Sequence, residues 1–227
     1  MKRIVFFIGI YIFFFSTYSQ EVVQAFRPVF SVGVVGSQID GDTYSGFHKL
    51  GYFFGVGINR QFSKLIEMEF AITFLQKGAR SNYATDSASL NNPNNNFSLI
   101  RLNYVEVPLA IGFNIKRFKI DAGGYAAYLF INPPHDENQY GKIVDPNFKN
   151  TDFGWLIGFG CKLKPNFLIN LRYQYSFVPI RDYYTSSRGI FHGQFPRNLF
   201  NTGLYNNYLV LSFNYKLPVK PTTIVAP

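Results

Sequence analysis

The sequence predicts an all-β protein: an eight-stranded antiparallel transmembrane β-barrel preceded by a cleavable signal peptide. Three observations lead to this prediction: an export signal at the N-terminus, segments with bulky residues at every second position, and a composition poor in charge. Charged residues make up 15% of the 227-residue chain, against about 25% in typical soluble domains. The mean hydropathy is nevertheless near zero, which argues against a helical membrane protein.

The N-terminus has the layout of a secretory signal peptide. Lys2 and Arg3 precede an apolar stretch over residues 4–15, which is shorter than the roughly 20 residues a spanning helix needs. Small residues follow at the positions that signal peptidase reads, so we expect cleavage between Ser19 and Gln20. The alternative is a hydrophobic first helix. The predicted organisation is a signal peptide at 1–19, a barrel at 20–217 and a periplasmic tail at 218–227.

Period-two alternation of bulky and small or polar residues marks the strands. In the third segment Ile66 and Phe70 share one face, while Glu67 and Glu69 lie on the other. Gly and Ala dilute the pattern in the first, second and fifth segments. The segments lie at 29–39, 51–60, 66–74, 104–115, 118–131, 153–163, 167–177 and 208–217.

The bulky face could point into a soluble barrel or sandwich, or outward into lipid. Eight strands enclose room for ordinary side chains only, so several Phe, Tyr or Trp from almost every strand would overfill the interior. The outer surface would then consist of Gly, Ala, Ser and Asn with few charges. Facing lipid, the bulky residues meet no volume limit and the small polar ones fill the lumen. The pattern therefore favours a membrane barrel.

The connections between the predicted strands differ in length at the two ends of the barrel. Outer-membrane barrels have short periplasmic turns and longer extracellular loops. An even number of strands returns both termini to the periplasm, and the expected location is the bacterial outer membrane. The short connections are 61–64, 116–117 and 164–166, and the long ones are 40–50, 77–99, 132–150 and 179–205.

The small polar face places several charged and amide side chains in the lumen. Charges inside a narrow barrel must be paired or hydrated, because an isolated buried ion is very costly. They form either an ion or proton path or a polar plug, and we expect Arg172 to pair with Glu67 or Glu69. The predicted lumen network is Glu67, Glu69, Glu106, Asp121, Asn170, Arg172 and Gln174.

Two groups of residues outside the lumen are candidates for contacts with lipid or partners. The long 179–205 loop combines arginine with aromatic residues, the types enriched at binding hot spots, although it could also fold over the barrel mouth. Its candidate residues are Arg181, Tyr183, Tyr184, Arg188, Phe191, Phe195 and Arg197. A basic collar near the short turns would attract anionic headgroups or an acidic periplasmic partner. It comprises Arg60, Lys64, Lys116, Arg117, Lys119, Lys162 and Lys164.

The sequence offers no catalytic, metal or cofactor site. The histidines at 48, 135 and 192 fall in predicted loops and share no ligand-like spacing. Ser45 near His48 carries no nucleophile motif, and Asp40-Gly41-Asp42 lacks the later ligands of a calcium loop. The lone Cys161 excludes an intrachain disulfide. No run of basic residues resembles a nucleic-acid patch, so we expect no nucleic-acid partner.

Two hairpin motifs add a family resemblance. The run GVVGSQIDGD at 33–42 with GFHKLG at 46–51, and YVEVPL at 104–109 with AGGY at 122–125, resemble hairpins of the PorT-type outer-membrane β-barrel family. The resemblance implies the barrel fold and the outer-membrane location. It also suggests a non-enzymatic anchor or accessory subunit of a surface or secretion assembly, as in type IX secretion. The alternatives are a small-solute channel and a surface-loop enzyme, and the sequence leaves the oligomeric state open.

Overall fold

The computed structural model describes residues 26–41, 46–80, 98–131, 134–138, 141–142, 147–182 and 203–218. The predicted signal peptide and all of the predicted tail except Pro218 lie outside these ranges. None of the described residues form a helix that is long and apolar enough to cross a membrane. The eight long strands are β1 (Arg27–Asp40), β2 (Lys49–Gln61), β3 (Ile66–Arg80), β4 (Ser98–Ile115), β5 (Phe118–Leu129), β8 (Thr151–Lys164), β9 (Phe167–Ser176) and β11 (Gly203–Lys216).

These eight strands close into an antiparallel barrel. Going round from β1, each strand pairs with the next in the order β2, β3, β4, β5, β8, β9 and β11. The ring closes where β11 returns to β1, with Val29 opposite Lys216 and Asp40 opposite Tyr205. The predicted eight-stranded antiparallel barrel is therefore confirmed, including the first, second and fifth strands with their diluted patterns.

Three short strands extend the sheet at the long-loop end: β6 (His135–Asn138), β7 (Gly141–Lys142) and β10 (Arg181–Asp182). Strand β6 pairs with the first residues of β4, and β10 pairs with the start of β11. The predicted loops 77–99 and 179–205 were therefore too long. Strand β3 continues to Arg80 through Gly78, whose φ of 145° is open to glycine and strained for other residues. This irregularity interrupts the alternation and hides the end of the strand.

The bulky face points outward, as the sequence predicts for a membrane barrel. On β3 the side chains of Phe70 and Ile72 are 41% and 53% exposed. The alternate residues Glu67 and Glu69 are buried. The same alternation runs along β4, β9 and β11. A surface of exposed Phe, Ile, Leu and Val suits hydrocarbon and not water, so the soluble alternative is excluded.

The interior differs from the expected filling of small polar residues. Large apolar and aromatic side chains occupy its long-loop half, and they fit because glycines stand beside them. At Gly154, for example, a Cβ atom would collide with the ring of Tyr125. This interior hydrophobic cluster includes Val35, Ile39, Phe53, Leu75, Ile100, Leu102, Tyr104, Tyr125, Leu129, Phe148, Ile180, Leu204, Tyr208 and Val210.

The free-energy cost of a charge on the outer face depends on how deep in the membrane it lies. We expect Ile111→Arg, at a half-exposed position in the middle of the membrane-facing part of β4, to lower the free energy of unfolding by about 2–4 kcal/mol. Ile115→Arg, beside the short 116–117 turn, is the matched control and should cost only about 0–1 kcal/mol. Denaturant titration in phospholipid vesicles measures both, and equal losses would contradict the assigned depth.

Candidate functional site

The lower charge network lies in the short-turn half of the lumen, and Arg172 is at its centre. Its Nη2 atom contacts Glu69 Oε1 at 2.6 Å and Asp121 Oδ2 at 2.7 Å. Its Nε atom donates a second hydrogen bond to Asp121 Oδ2 at 2.8 Å. Asn170 Nδ2 also donates to Asp121, at 3.3 Å. The planar guanidinium thus links carboxylates carried by β3 and β5, which suits its rigid fork of donors.

Two lysines complete the lower charge network around Glu67. Lys119 Nζ lies 2.9 Å from Glu67 Oε1 and 3.1 Å from Glu69 Oε2. Lys216 Nζ approaches Glu67 Oε1 at 2.8 Å, and Asn114 Nδ2 donates to Glu67 Oε2 at 3.0 Å. Three carboxylates and three cations therefore balance one another inside the barrel, as buried charges require.

The upper charge network lies further toward the long loops and is built around Lys77. Its Nζ atom is 3.1 Å from Glu106 Oε2, 3.2 Å from Asp152 Oδ2 and 2.9 Å from the Tyr208 hydroxyl. Tyr208 in turn donates to Glu106 Oε2 at 2.6 Å. Lys77, Glu106 and Asp152 are completely buried. These four side chains come from β3, β4, β8 and β11, so the network spans the lumen.

Aromatic rings enclose the ammonium of Lys77. Its Nζ atom lies 4.1 Å from the ring centroid of Tyr208, 4.6 Å from that of Tyr104 and 4.7 Å from that of Tyr125. These distances are within the range of cation–π attraction. The interior hydrophobic cluster surrounds the same site. The lumen is therefore filled by two charge networks, the upper of which is embedded in apolar side chains.

All seven residues of the predicted lumen network lie inside the barrel and are buried. The structure places six of them in the two networks, with Glu106 in the upper one and the other five in the lower one. Gln174 is buried, and no hydrogen bond joins it to either network among the described residues. Sequence reasoning missed Lys77 and Asp152. Lys77 was assigned to the predicted 77–99 loop, and Asp152 lies between the predicted 132–150 loop and the strand predicted to begin at residue 153. The available signal was the alternation, which puts Lys77 on the same inward face as Leu75, and Asp152 on the same inward face as Gly154.

The predicted basic collar is wrong at Lys119. Because Lys119 is close to the 116–117 turn in sequence, it was predicted at the periplasmic rim, but it is fully buried between Glu67 and Glu69. The reason is the alternation of β5, in which Lys119 shares the inward face with Asp121. Of the other collar residues, Lys64, Lys116, Arg117 and Lys164 are exposed and Lys162 is half-buried. Arg60 is half-buried, with its guanidinium 5.3 Å from the rings of Phe26 and Phe62.

The predicted partner loop is represented in the structure only by Arg181. Its guanidinium donates to Asp136 Oδ2 at 2.8 Å and lies 4.6 Å from the ring centroid of Phe148. Arg181 thus ties β10 to β6 at the barrel mouth. Tyr183, Tyr184, Arg188, Phe191, Phe195 and Arg197 lie outside the described residues.

The histidines show no catalytic or metal-binding arrangement where the structure describes them. His48 is exposed, and His135 Nε2 contacts Glu137 Oε2 at 3.0 Å. His192 and Ser45 lie outside the described residues. Within the described ranges, no group of three or more His, Cys, Asp or Glu side chains could hold a metal ion.

A known protein family matches most of this sequence. The family model described as "Outer membrane protein beta-barrel domain" matches residues 13–182, about three quarters of the sequence. The chain belongs to this outer-membrane β-barrel family. Membership places the protein in the bacterial outer membrane, where its exposed apolar face contacts lipid. No curated protein matches the sequence.

Solved structures that resemble this outer-membrane barrel are themselves small barrels. Ail, the attachment invasion locus protein of Yersinia pestis, solved with the heparin analogue sucrose octasulfate, is 13% identical; the match covers 85% of this chain and 99% of Ail, with a TM-score of 0.45. Neisserial surface protein A is 12% identical over 85% and 96% of the two chains, with a TM-score of 0.43. OprG of Pseudomonas aeruginosa is 12% identical over 86% and 98%, with a TM-score of 0.39. At these identities and scores the likenesses say nothing about function.

Proposed function

We propose that this protein is a non-enzymatic, non-conducting outer-membrane barrel that serves as an anchor or accessory subunit of a surface or secretion assembly. The observation that carries the proposal is the filled lumen. Two charge networks and the interior hydrophobic cluster occupy the path through the barrel, and their side chains are buried and fixed by mutual contacts. A barrel without a path for solutes works through its outer surface and its loops.

The PorT-type resemblance gives this proposal its finer form. The motifs at 33–51 and 104–125 form the β1–β2 and β4–β5 hairpins, and they support membership of the PorT-type branch. On this proposal the barrel works within type IX secretion, and residues 1–19 are removed during export. The exposed part of the collar, at Lys64, Lys116 and Arg117, is then available to inner-leaflet headgroups or to an acidic periplasmic subunit.

Affinity isolation tests the assembly role. Tagged full-length protein is isolated from detergent-solubilised outer membranes and its partners are identified by mass spectrometry. We expect a stoichiometric set of envelope subunits, lost when Arg188 and Arg197 of the predicted partner loop are replaced by Ser. A second variant replaces Lys64 and Arg117 at the opposite end by Ser, and loss of the subunits from this variant instead would assign the docking surface to the collar.

Single-channel recording of the same preparation tests the transport alternative, and the filled lumen should give no conductance steps. Recovery of the barrel alone, together with steady conductance, would refute the proposed function in favour of a channel. Recovery alone without conductance would refute the assembly role and leave a free-standing structural barrel.

A further inference from the structure

A lysine at the long-loop end of the barrel is buried without an acidic partner. Lys49 is 5% exposed, and its Nζ atom donates to the Leu50 carbonyl oxygen at 2.6 Å and to Gln76 Oε1 at 2.8 Å. Both acceptors are neutral. Among the residues that the structure describes, no carboxylate lies within ion-pair distance of Lys49. Buried charges are normally paired, so this ammonium can accept an anion that the described residues do not supply.

Two arginines increase the positive charge at the same place. Arg80 and Arg101 are both exposed and lie close enough to Lys49 to repel it electrostatically. Arg101 stands opposite Gly78, and Arg80 stands opposite Leu99, so the two arginines are diagonal neighbours on the β3–β4 pair. Neither forms an ion pair with any residue in the described ranges. We call Lys49, Arg80 and Arg101 the outer basic cluster.

The position of the outer basic cluster relative to the membrane follows from the aromatic residues below it. The ring of Phe74 stacks on Tyr52 at 5.8 Å and meets Phe130 edge-on at 6.0 Å. Aromatic girdles of this kind mark the membrane interface. Arg101 lies two residues beyond Asn103, whose Oδ1 atom accepts a hydrogen bond from Tyr52. The cluster therefore lies at headgroup level, on the side of the long loops.

The direction of these side chains decides what they can meet. Arg80 and Arg101 continue the outward faces of β3 and β4, the faces that carry Ile72, Leu109 and Ile111 into lipid. Gly78 occupies the outward position opposite Arg101, and a Cβ atom there would collide with the Ile100 carbonyl oxygen. Gly78 therefore lets the β3 and β4 backbones approach closely between the two arginines. The two arginines thus face sideways into the outer leaflet, where a lipid headgroup reaches them more directly than a soluble protein does. Lys49 belongs to the inward series of β2, and its ammonium contacts Gln76 on the outward series of β3.

We propose that the outer basic cluster binds the phosphate of a phosphorylated glycolipid headgroup of the outer leaflet, such as that of lipid A. The arginines would hold phosphate oxygens through paired hydrogen bonds, and Lys49 would act as a point charge. Such a contact would pair the buried ammonium and fix the barrel's depth and rotation against its lipid. The inference is independent of the assembly role proposed above.

A lipid titration tests the site. Full-length protein in detergent is titrated with bis-phosphorylated lipid A, and bound lipid is counted by native mass spectrometry. We expect Arg80→Gln/Arg101→Gln to weaken binding about tenfold or more, because each substitution removes charge-assisted hydrogen bonds. Lys49→Gln, tested separately, should weaken it too. The matched control is Arg27→Gln/Lys149→Gln, which removes the same charge outside both the outer basic cluster and the collar, where Lys149 already has Asp182 as its partner, and it should leave the affinity unchanged.

Further arms identify the source of the phosphate. Dephosphorylated lipid A should bind no better to the natural protein than to the Arg80→Gln/Arg101→Gln variant. Inorganic phosphate and pyrophosphate should compete only weakly, because they lack the acyl chains that lie against the outer face. Equal lipid A binding by the site and control variants would overturn the proposal. Full displacement by inorganic phosphate at the lipid's own concentration would also overturn it, in favour of a free-phosphate site. Circular dichroism verifies that each variant is folded.

Discussion

Replacing Lys77 by Met is expected to lower the free energy of unfolding by about 3–5 kcal/mol, the usual cost of removing one partner from a buried ion pair. Methionine retains the length of the side chain but not its charge. Glu106 and Asp152 would then face each other in a site with no solvent access, each having lost its ammonium partner at 3.1 and 3.2 Å. The cation–π contacts with the surrounding tyrosines would be lost as well. Urea titration of the refolded protein in vesicles measures the loss.

A triple variant separates the lost charge balance from lost packing. Lys77→Met combined with Glu106→Gln and Asp152→Asn removes all three charges and keeps side chains of similar size. Replacing a whole buried ionic group is often neutral, so the triple variant should recover most of the stability that Lys77→Met loses. If the triple variant is less stable than the single one, the carboxylates do not depend on Lys77, and the packing around it accounts for the loss.

The sequence predicts the direction of side chains in this barrel better than it predicts their partners. Alternation along β3 correctly turns Glu67 and Glu69 inward, because each strand residue changes face. The pairing of cations with carboxylates depends on how far strands that are distant in sequence are shifted along the barrel axis relative to one another. Arg172 and Glu69 are 103 positions apart, and their contact requires the closed barrel and the register of every strand between them. The pattern alone could not choose between Glu67 and Glu69.

The residues that sequence reasoning misassigned lie where alternation meets a strand end. Lys119 belongs to the inward series of β5, but it follows a turn with two exposed basic residues and resembles them. Lys77 precedes Gly78, where the backbone leaves the regular strand conformation and the alternation stops. Asp152 is one residue before the first residue of the predicted strand. Misplacing a strand end by a few residues was therefore enough to hide Lys77 and Asp152, half of the upper charge network.

The large interior side chains were missed for a different reason. Bulky residues overfill a narrow barrel when all strands contribute them at the same height. Here Tyr104, Tyr125 and Tyr208 cluster at one level, and Gly154 leaves space for the ring of Tyr125. The volume of the lumen is thus divided unevenly among the strands. That division becomes visible only when the register is known.

In the lower charge network, the largest loss is expected from Arg172→Met, about 3 kcal/mol in the free energy of unfolding. Glu69 would retain Lys119 as a partner at 3.1 Å. Asp121 would lose both of its contacts with the guanidinium, at 2.7 and 2.8 Å, and would retain only the amide of Asn170. The cost should therefore arise mainly at Asp121, a carboxylate that is completely buried. Denaturant titration in vesicles again measures it.

Two further variants test this assignment. In the Arg172→Met background, Asp121→Asn should restore much of the stability, whereas Glu69→Gln should restore little, because Lys119 already balances Glu69. Arg172→Lys should lose an intermediate amount, since one ammonium cannot reproduce the Nη2 contact with Glu69 and the Nε contact with Asp121 together. Equal rescue by the two carboxylate substitutions would contradict the assignment and show that the six charges act as one pooled network. The outcome thus distinguishes a set of specific ion pairs from a general balance of charge inside the barrel.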